Sequence, residues 1–243
     1  MNEIGIIIQC RLNSTRLKNK LILKIGKITL LDLLLRRLKQ VKNVRLICAL
    51  ASEKNNLKLK NIIKKNNVDY FIGSNSNVLK RYYDIASKRK LKTIIRITSD
   101  CPLIDPYLVE KGIKVFKNKK IDYLSNNLTQ TWPQGLDFEI FTYNSLKKTF
   151  LHAKNSSQKE HVTEFIRQNN SFKKFNLKSN VKLNRYFRWT IDTKIDYKFF
   201  IELYKYHPSI MSNFKWFDLY KFLNKNYNIQ KINATSHHFY FKN

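Results

Sequence analysis

The chain has little glycine, proline or cysteine, with five, four and three of each in 243 residues. No Gly-x-Gly-x-x-Gly follows the first apolar run, which disfavours a dinucleotide-binding domain. A Walker A loop and a Gly-x-Ser-x-Gly elbow are also missing, which disfavours a P-loop nucleotidase and an α/β-hydrolase. The sequence therefore excludes three common ways of building an α/β active site.

Cysteines and long apolar runs are both scarce. Cys10, Cys48 and Cys101 are odd in number and widely spaced, so we expect reduced thiols and neither a disulfide framework nor a zinc site. No N-terminal apolar run is long enough to span a bilayer, and Glu3 argues against a signal peptide. We expect a cytoplasmic protein with no membrane partner.

Acidic residues are few: 17 Asp and Glu stand against 47 Lys and Arg, a formal net charge of +30. One interpretation is a non-enzymatic nucleic-acid-binding protein. However, the basic residues are spread over every segment and no nucleic-acid-binding motif is present, so compositional drift is favoured and no specific nucleic acid is predicted. A basic field would still attract an anionic nucleotide.

The N-terminal half alternates short apolar runs with helical patterns. Apolar runs without polar alternation are typical of strands that are covered on both faces. The order predicts an α/β fold with a mostly parallel, doubly wound sheet flanked by helices. The predicted strands are Ile4–Gln9, Val44–Leu50, Asp69–Ile72 and Thr93–Thr98, and the helices between them centre on Leu34, Ile62 and Tyr82.

The C-terminal half is less regular, and we expect it to add a small antiparallel extension. Strand-like segments are predicted at Leu136–Phe141, Phe172–Leu177 and Tyr186–Ile191. Helices are predicted at Pro106–Phe116, Tyr143–Leu151, Gln158–Arg167, Asp196–Tyr206 and Lys215–Asn226. No linker composition divides the chain, so a single domain over 1–243 is predicted. The aromatic C-terminal helices are candidates for packing or for a homodimer contact.

The first strand ends in a basic, hydroxyl-rich loop, residues 10–20, whose candidate anion ligands are Arg11, Ser14, Arg16 and Lys20. Such a loop at the carboxyl end of a parallel strand is suited to a phosphorylated ligand. Asp100 and Asp192 follow two other extended runs, and two carboxylates plus phosphate oxygens are a typical Mg²⁺ set. Spacing alone leaves N-capping open for both, and it favours a cap at Asp105.

Histidine gives a weaker signal. His161, near a helix start, is either a general base, a substrate contact or a structural residue. His237 and His238 have no ligand partner at metal spacing, so no metal role is predicted for them.

Five motifs in order resemble the CMP-sugar cytidylyltransferases, most closely the branch named for the spore coat polysaccharide protein SpsF. They occupy residues 7–20, 96–106, 132–141, 160–163 and 188–193. The resemblance implies a Rossmann-like nucleotide-diphospho-sugar transferase fold. It also implies an enzyme that transfers CMP from CTP to a sugar or sugar-acid hydroxyl with Mg²⁺ as cofactor and releases pyrophosphate, for surface polysaccharide synthesis.

The resemblance also implies residue roles. Arg11, Ser14, Arg16 and Lys20 would bind the triphosphate, with Arg11 and Lys20 counted as catalytic. Asp100 and Asp192 would hold the metal. The cytidine side would be lined by Gly73, Ser74, Asn77 and Arg81, with Thr98 beside the nucleotide. The sugar would meet Asp137, Glu139, Glu160, His161 and Arg188. Residues 1–118 would form the nucleotide-binding half and 119–243 the sugar-binding half.

Two positions depart from the family pattern. Lys18-Asn19 stands where Pro-Gly is usual, and Ser99 stands where Gly is usual. Losing Pro and Gly removes a preset turn and a residue free to adopt positive φ, although asparagine tolerates that region best among the other residues; Lys20 is retained, so the anion-binding role is kept. A glycosyltransferase of the same fold, with an acidic pair near Asp100, remains an alternative at this stage.

Overall fold

A computed structural model describes residues 3–12, 16–52, 56–206, 208 and 214–234. Its main sheet has seven strands in the order β5-β4-β1-β6-β8-β7-β9. These are β1 (Ile4–Cys10), β4 (Arg45–Ala51), β5 (Asp69–Gly73), β6 (Thr93–Thr98), β7 (Tyr123–Ser125), β8 (Glu139–Thr142) and β9 (Lys174–Asn176). Only β8 runs antiparallel to its neighbours, so the predicted mostly parallel α/β sheet is confirmed.

Helices cover both faces of this sheet. They are α1 (Leu30–Leu38), α2 (Leu57–Lys65), α3 (Val78–Lys88), α4 (Pro106–Asn118), α5 (Tyr143–His152), α6 (Ser156–Glu160), α7 (Glu164–Gln168), α8 (Lys194–Tyr206), α9 (Trp216–Lys225) and α10 (Tyr227–Ala234). A small antiparallel pair, β2 (Lys24–Ile25) and β3 (Ile28–Thr29), precedes α1. Within the described ranges, no helix has the length and apolar character needed to cross a bilayer.

The central strands are buried on both sides. Along β1, Ile6 and Ile8 join the core under α1, α2, α4 and α8, whereas Ile7 joins the core under α3, α5 and α7. Side chains alternate between the faces of a strand, so a continuous isoleucine run fills two cores at once. This is why the first apolar run is a central strand.

Three C-terminal predictions differ from the structure. Among the described residues, the extended run Tyr186–Ile191 forms no strand of the sheet and makes one isolated bridge, between Arg188 and Gln134. The predicted helix Gln158–Arg167 is broken into α6 and α7, with Val162 at φ 52° between them. The strand β7 was not predicted, because its three residues show no period and polar residues flank it.

Candidate active site

The carboxyl ends of β1 and β6 lie side by side, because the two strands pair in parallel. The basic loop after β1 and Asp100 after β6 therefore share one edge of the sheet. Backbone hydrogen bonds attach the later motifs to this edge: Ile191 N donates to Asp100 O at 2.9 Å, and Trp189 N donates to Gln134 O at 2.7 Å. Motifs far apart in sequence thus meet at one place.

Gly135 makes the closest of these approaches possible. Its φ is +104°, and a Cβ there would lie 2.5 Å from the carbonyl carbon of Trp189. Only glycine combines this conformation with backbone-to-backbone packing. The approach places the next acidic residue, Asp137, beside the segment that carries Thr190.

A cavity of about 120 Å³ lies where these segments meet. Four predicted site residues line it together: Thr98 and Asp100 from one motif, and Asp137 and Glu139 from another. The full lining is Arg96, Thr98, Asp100, Cys101, Asn127, Gln134, Asp137, Phe138, Glu139 and Thr190. The cavity is therefore acidic and rich in oxygen atoms that could bind a cation.

Asp137 carries the most perturbed carboxylate of the cavity. Burial raises its pKa to about 6, and the charge of Asp100 adds to the rise, while the Gly135 N–H and the Asn127 side chain oppose it. The Gly135 N–H donates to Asp137 Oδ2 at 3.1 Å. The buried Asp137 Oδ1 has no hydrogen-bond partner, and neither has the buried Thr190 Oγ1. Two oxygens at this site thus lack the partners that buried polar atoms normally have.

Asp192 forms ion pairs with cations of the opening loop. Its Oδ1 lies 3.0 Å from Lys20 Nζ, and its Oδ2 lies 3.4 Å from Arg16 and 3.5 Å from Arg188. Lys20 also donates to Ile191 O at 3.2 Å. The sheet edge therefore holds two predicted triphosphate ligands against one of the predicted metal ligands. Ser14, predicted with them, lies outside the described residues.

Arg188 lies beneath this cluster and is fully buried. Its Nε and Nη2 donate to the two oxygens of Asp196 at 2.8 and 3.0 Å. Burial alone would raise the pKa of Asp196, but the hydrogen bonds and charge of Arg188 outweigh it and leave the pKa lowered. Asp196 also accepts from the Thr193 N–H at 2.9 Å at the start of α8. Asp196, and not Asp192, therefore organises this helix start, and Arg188 supports the site from below.

Glu139 is the centre of a second buried cluster. Its Oε2 accepts from Arg96 at 2.5 Å, and its Oε1 accepts from Tyr123 at 2.5 Å and from Thr163 at 2.6 Å. Burial acts to raise the pKa of Glu139, yet Arg96, Thr163 and Tyr123 together hold it below the ordinary value. Glu139 therefore lines the cavity with both oxygens already bonded.

Glu160 and His161 lie on the other side of the opening loop. Both are exposed, and Glu160 Oε1 lies 3.7 Å from Arg11 Nη2. Exposed ion pairs add little stability. The contact nevertheless shows that the basic loop and the motif at 160–163 face each other across an open side of the site.

The loop after β5 is braced by its own side chains. Arg81 Nη1 donates to Ser74 O and, at 3.3 Å, to Asn75 O. Asn77 caps α3 by accepting from the Lys80 N–H at 2.8 Å. Gly73 ends β5, two strands from β1 in the sheet. Four predicted cytidine-side residues thus form one ordered turn at the same edge.

Several lining residues escaped sequence analysis. Asn126 is fully buried and braces the loop before β8, donating to Leu136 O at 2.8 Å and accepting from Phe138 N at 2.9 Å. Asn127, Gln134 and Thr190 line the cavity itself. The Asn126-Asn127 pair was an available signal, because asparagine side chains hydrogen-bond nearby backbone groups in turns.

The described part of the chain has no group of three or more His, Cys, Asp or Glu side chains arranged to hold a metal. The three cysteines are free and buried.

A mixed Rossmann-like sheet with a cationic loop and an acidic cavity at its carboxyl edge is the architecture of a nucleotide-dependent transferase.

Comparison with known proteins makes this class specific. A family model described as cytidylyltransferase matches residues 5–231. An uncharacterized protein of Methanocaldococcus jannaschii, MJ1063, is 37% identical over 96% of this chain and 95% of its own. The spore coat polysaccharide biosynthesis protein SpsF of Bacillus subtilis is 30% identical over 84% and 88%. The chain belongs to the cytidylyltransferase family, and the enzyme class and fold inferred from its motifs are confirmed.

Comparison with solved structures supports the same family. A cytidylyltransferase from Leptospira borgpetersenii superposes with a TM-score of 0.89 at 34% identity, covering 97% of this chain and 99% of that one. A 3-deoxy-manno-octulosonate cytidylyltransferase of Rickettsia akari is 31% identical, but only over 51% of each chain. The similarity thus extends over the whole architecture for one relative and over half of it for the other.

Proposed function

We propose that this protein transfers CMP from CTP to a hydroxyl of a sugar acid, releases pyrophosphate and serves surface polysaccharide synthesis. The observation that carries the proposal is that Lys20 and Arg16 pair with Asp192, two residues along the chain from Thr190, which lines a cavity together with Asp100. The names of the relatives, with a cytidylyltransferase acting on a sugar acid and a polysaccharide biosynthesis protein among them, support the choice of substrates.

A hard cation fits this cavity. Beside Arg96 and the Cys101 thiol, its lining supplies oxygens of carboxylates, hydroxyls and amides, which suit Mg²⁺ better than softer metals, and two of those oxygens have no hydrogen-bond partner among the described residues. Asp100 and Asp192 are proposed as the protein ligands. When bound, Mg²⁺ would neutralise charge on the phosphate oxygens and lower the pKa of a coordinated hydroxyl.

The protein's own residues are proposed to do the positioning. A sugar hydroxyl attacks the α-phosphorus of CTP, and the bond to the β-phosphate oxygen breaks, so negative charge builds on the phosphates and on departing pyrophosphate. Lys20, Arg16 and Arg11 would bind that charge, with Ser14 beside them. Because Lys20 is held by Asp192 and Ile191 O, its ammonium is already oriented before CTP arrives.

The remaining roles follow the position of each residue. The turn with Gly73, Ser74, Asn77 and Arg81 would line the cytidine side. Asp137, Glu139, Glu160 and His161 would lie toward the sugar, with Arg188 supporting them. In this proposal residues 1–118 bind the nucleotide, residues 119–243 supply the opposite wall, and the reaction takes place in the cytoplasm. A homodimer stays a prediction.

The test is pyrophosphate release with CTP, Mg²⁺ and a panel of ulosonic and nonulosonic acids. We expect activity with at least one acid, and Asp100→Asn should lower it by about 100-fold or more. Asp218→Asn is the matched control, because that carboxylate is exposed on α9 and should leave the rate unchanged. Thermal stabilisation by a UDP-sugar but not by CTP would instead support a glycosyltransferase and overturn the proposal.

A further inference from the structure

Asp137 has one buried carboxylate oxygen, Oδ1, that no described residue satisfies with a hydrogen bond. The other acidic groups near the site are neutralised by nearby cations: Asp192 by Lys20 and Arg16, Glu139 by Arg96, and Asp196 by Arg188. Among the residues that the structure describes, neither Asp100 nor Asp137 forms an ion pair. Two carboxylates without a cation thus line the same small cavity.

Like charges in a buried cavity repel each other, and burial increases the cost. The cavity keeps them together although Asp137 Oδ1 receives no hydrogen bond. Gly135 holds the loop there by packing directly on the Trp189 backbone, and its N–H fixes Asp137 Oδ2 at 3.1 Å. The geometry therefore presents the free Oδ1 on a rigid support, which is the arrangement a ligating oxygen requires.

Thr190 gives an independent observation. The residue is only 3% exposed, its Oγ1 has no hydrogen-bond partner, and it lines the same cavity. A buried hydroxyl without a partner is rare unless the space beside it holds water or an ion. Thr98, on the β6 side, supplies a further hydroxyl to the lining. Carboxylates and hydroxyls together make a hard-oxygen environment.

We infer that Asp137 is a carboxylate ligand of a divalent cation held between it and Asp100, with Thr190 orienting a water of that cation. The inference rests on the proposed function and deepens it, since Asp137 was otherwise assigned to the sugar. In this inference Asp137 takes the ligand place proposed above for Asp192, which lies on the phosphate side in contact with Lys20 and Arg16. Mg²⁺ commonly takes one or two carboxylates and fills its remaining positions with water and phosphate oxygens.

Mn²⁺ binding to the whole protein, without nucleotide or sugar, tests this inference by electron paramagnetic resonance of the free ion. Asp137→Asn keeps the shape of the side chain and removes its charge, so the fold should be retained. We expect it to weaken Mn²⁺ binding by about tenfold or more, as Asp100→Asn should. Thr190→Val, which removes only the hydroxyl, should weaken binding by a smaller factor. Asp218→Asn is the control.

Mn²⁺ affinity of Asp137→Asn within twofold of the wild-type value would overturn the inference. A rise in KM for the sugar acid alone, with Mn²⁺ binding intact, would also overturn it and return Asp137 to the sugar. Absence of saturable Mn²⁺ binding in the wild-type protein would overturn it as well. Because no substrate is present in this measurement, failure here is distinct from failure to find pyrophosphate release, which concerns the proposed function.

Discussion

At the scale of single residues, Asp137 has a carboxylate that is costly to bury and that lies where it could bind a cation. Its carboxyl group is buried beside Asp100 and its pKa is raised from 3.8 to about 6. A carboxylate that is destabilised in the folded protein is a common mark of a functional site. The substitution that tests its ligand role therefore also has a measurable effect on stability.

Asp137→Asn should stabilise the metal-free protein above pH 6. The folded pKa lies above the unfolded value, so the unfolded chain loses the proton first and wild-type stability falls as pH rises from about 4 to 6. The stability of the substituted protein does not fall in this way, because asparagine does not ionise. Its advantage in free energy of unfolding should be near zero at pH 4 and grow to about 1–3 kcal/mol at pH 7. Denaturant titrations at both pH values measure it, and a pH-independent difference would contradict the assignment.

Asn19 shows how much one residue of the sequence could predict. Its φ of 56° and ψ of 25° place it in the left-handed region, at the position where the family usually has glycine. Asparagine adopts that region more easily than other residues with a Cβ. The turn ends one residue before Lys20, which is why the departure from Pro-Gly leaves the Lys20 ammonium on Asp192.

At the scale of elements, the strands of the N-terminal half could be predicted because their apolar runs report burial on both faces directly. The break between α6 and α7 could not be predicted. Nothing in the residue pattern distinguishes a continuous helix from one interrupted at Val162, a buried β-branched residue with φ of 52°. Such a conformation is costly and persists only where surrounding contacts hold it. Those contacts come from Glu139, which is distant in sequence.

Thr163 is the residue that secures the break. Its Oγ1 donates to Glu139 Oε1 at 2.6 Å, and its N–H donates to His161 O at 2.5 Å across Val162. Thr163→Val keeps the shape but removes the hydroxyl, so it should lower the free energy of unfolding by about 1–3 kcal/mol. Thr163→Ser, which keeps the hydroxyl, should retain most of the wild-type free energy of unfolding. Equal stability of the Val and Ser proteins in denaturant titrations would show that the bond to Glu139 does not secure the turn.

At the scale of the whole molecule, sequence motifs could predict a candidate site but not the residues that support it. Asp192 was predicted as a metal ligand, yet the partner that fixes Arg188 is Asp196, four residues further on. The helix α10, which was not predicted, covers Arg188 and Asp196. On that helix, Gln230 Oε1 accepts a hydrogen bond from Trp189 Nε1 at 3.0 Å. Long-range polar contacts of this kind leave no periodic signal in a single sequence.

Asn233 completes this support from nearly the end of the described chain. Its Nδ2 lies 3.1 Å from both Arg188 O and Asp196 Oδ1, and the residue is fully buried. Asn233→Ala should leave these acceptors short of a donor and lower the free energy of unfolding by about 1–3 kcal/mol.

Asn224→Ala is the matched control, because that side chain lies on the neighbouring helix α9 and accepts a hydrogen bond from the exposed Asn184 amide at 3.2 Å. Its loss should cost under about 0.5 kcal/mol of stability. Denaturant titration of both proteins gives the comparison. Since Arg188 and Asp196 fix the segment that carries Thr190 and Asp192, Asn233→Ala should also weaken CTP binding, and Asn224→Ala should not. Unchanged stability and CTP affinity in Asn233→Ala would mean that the site is held by the sheet edge alone and that α10 only covers it.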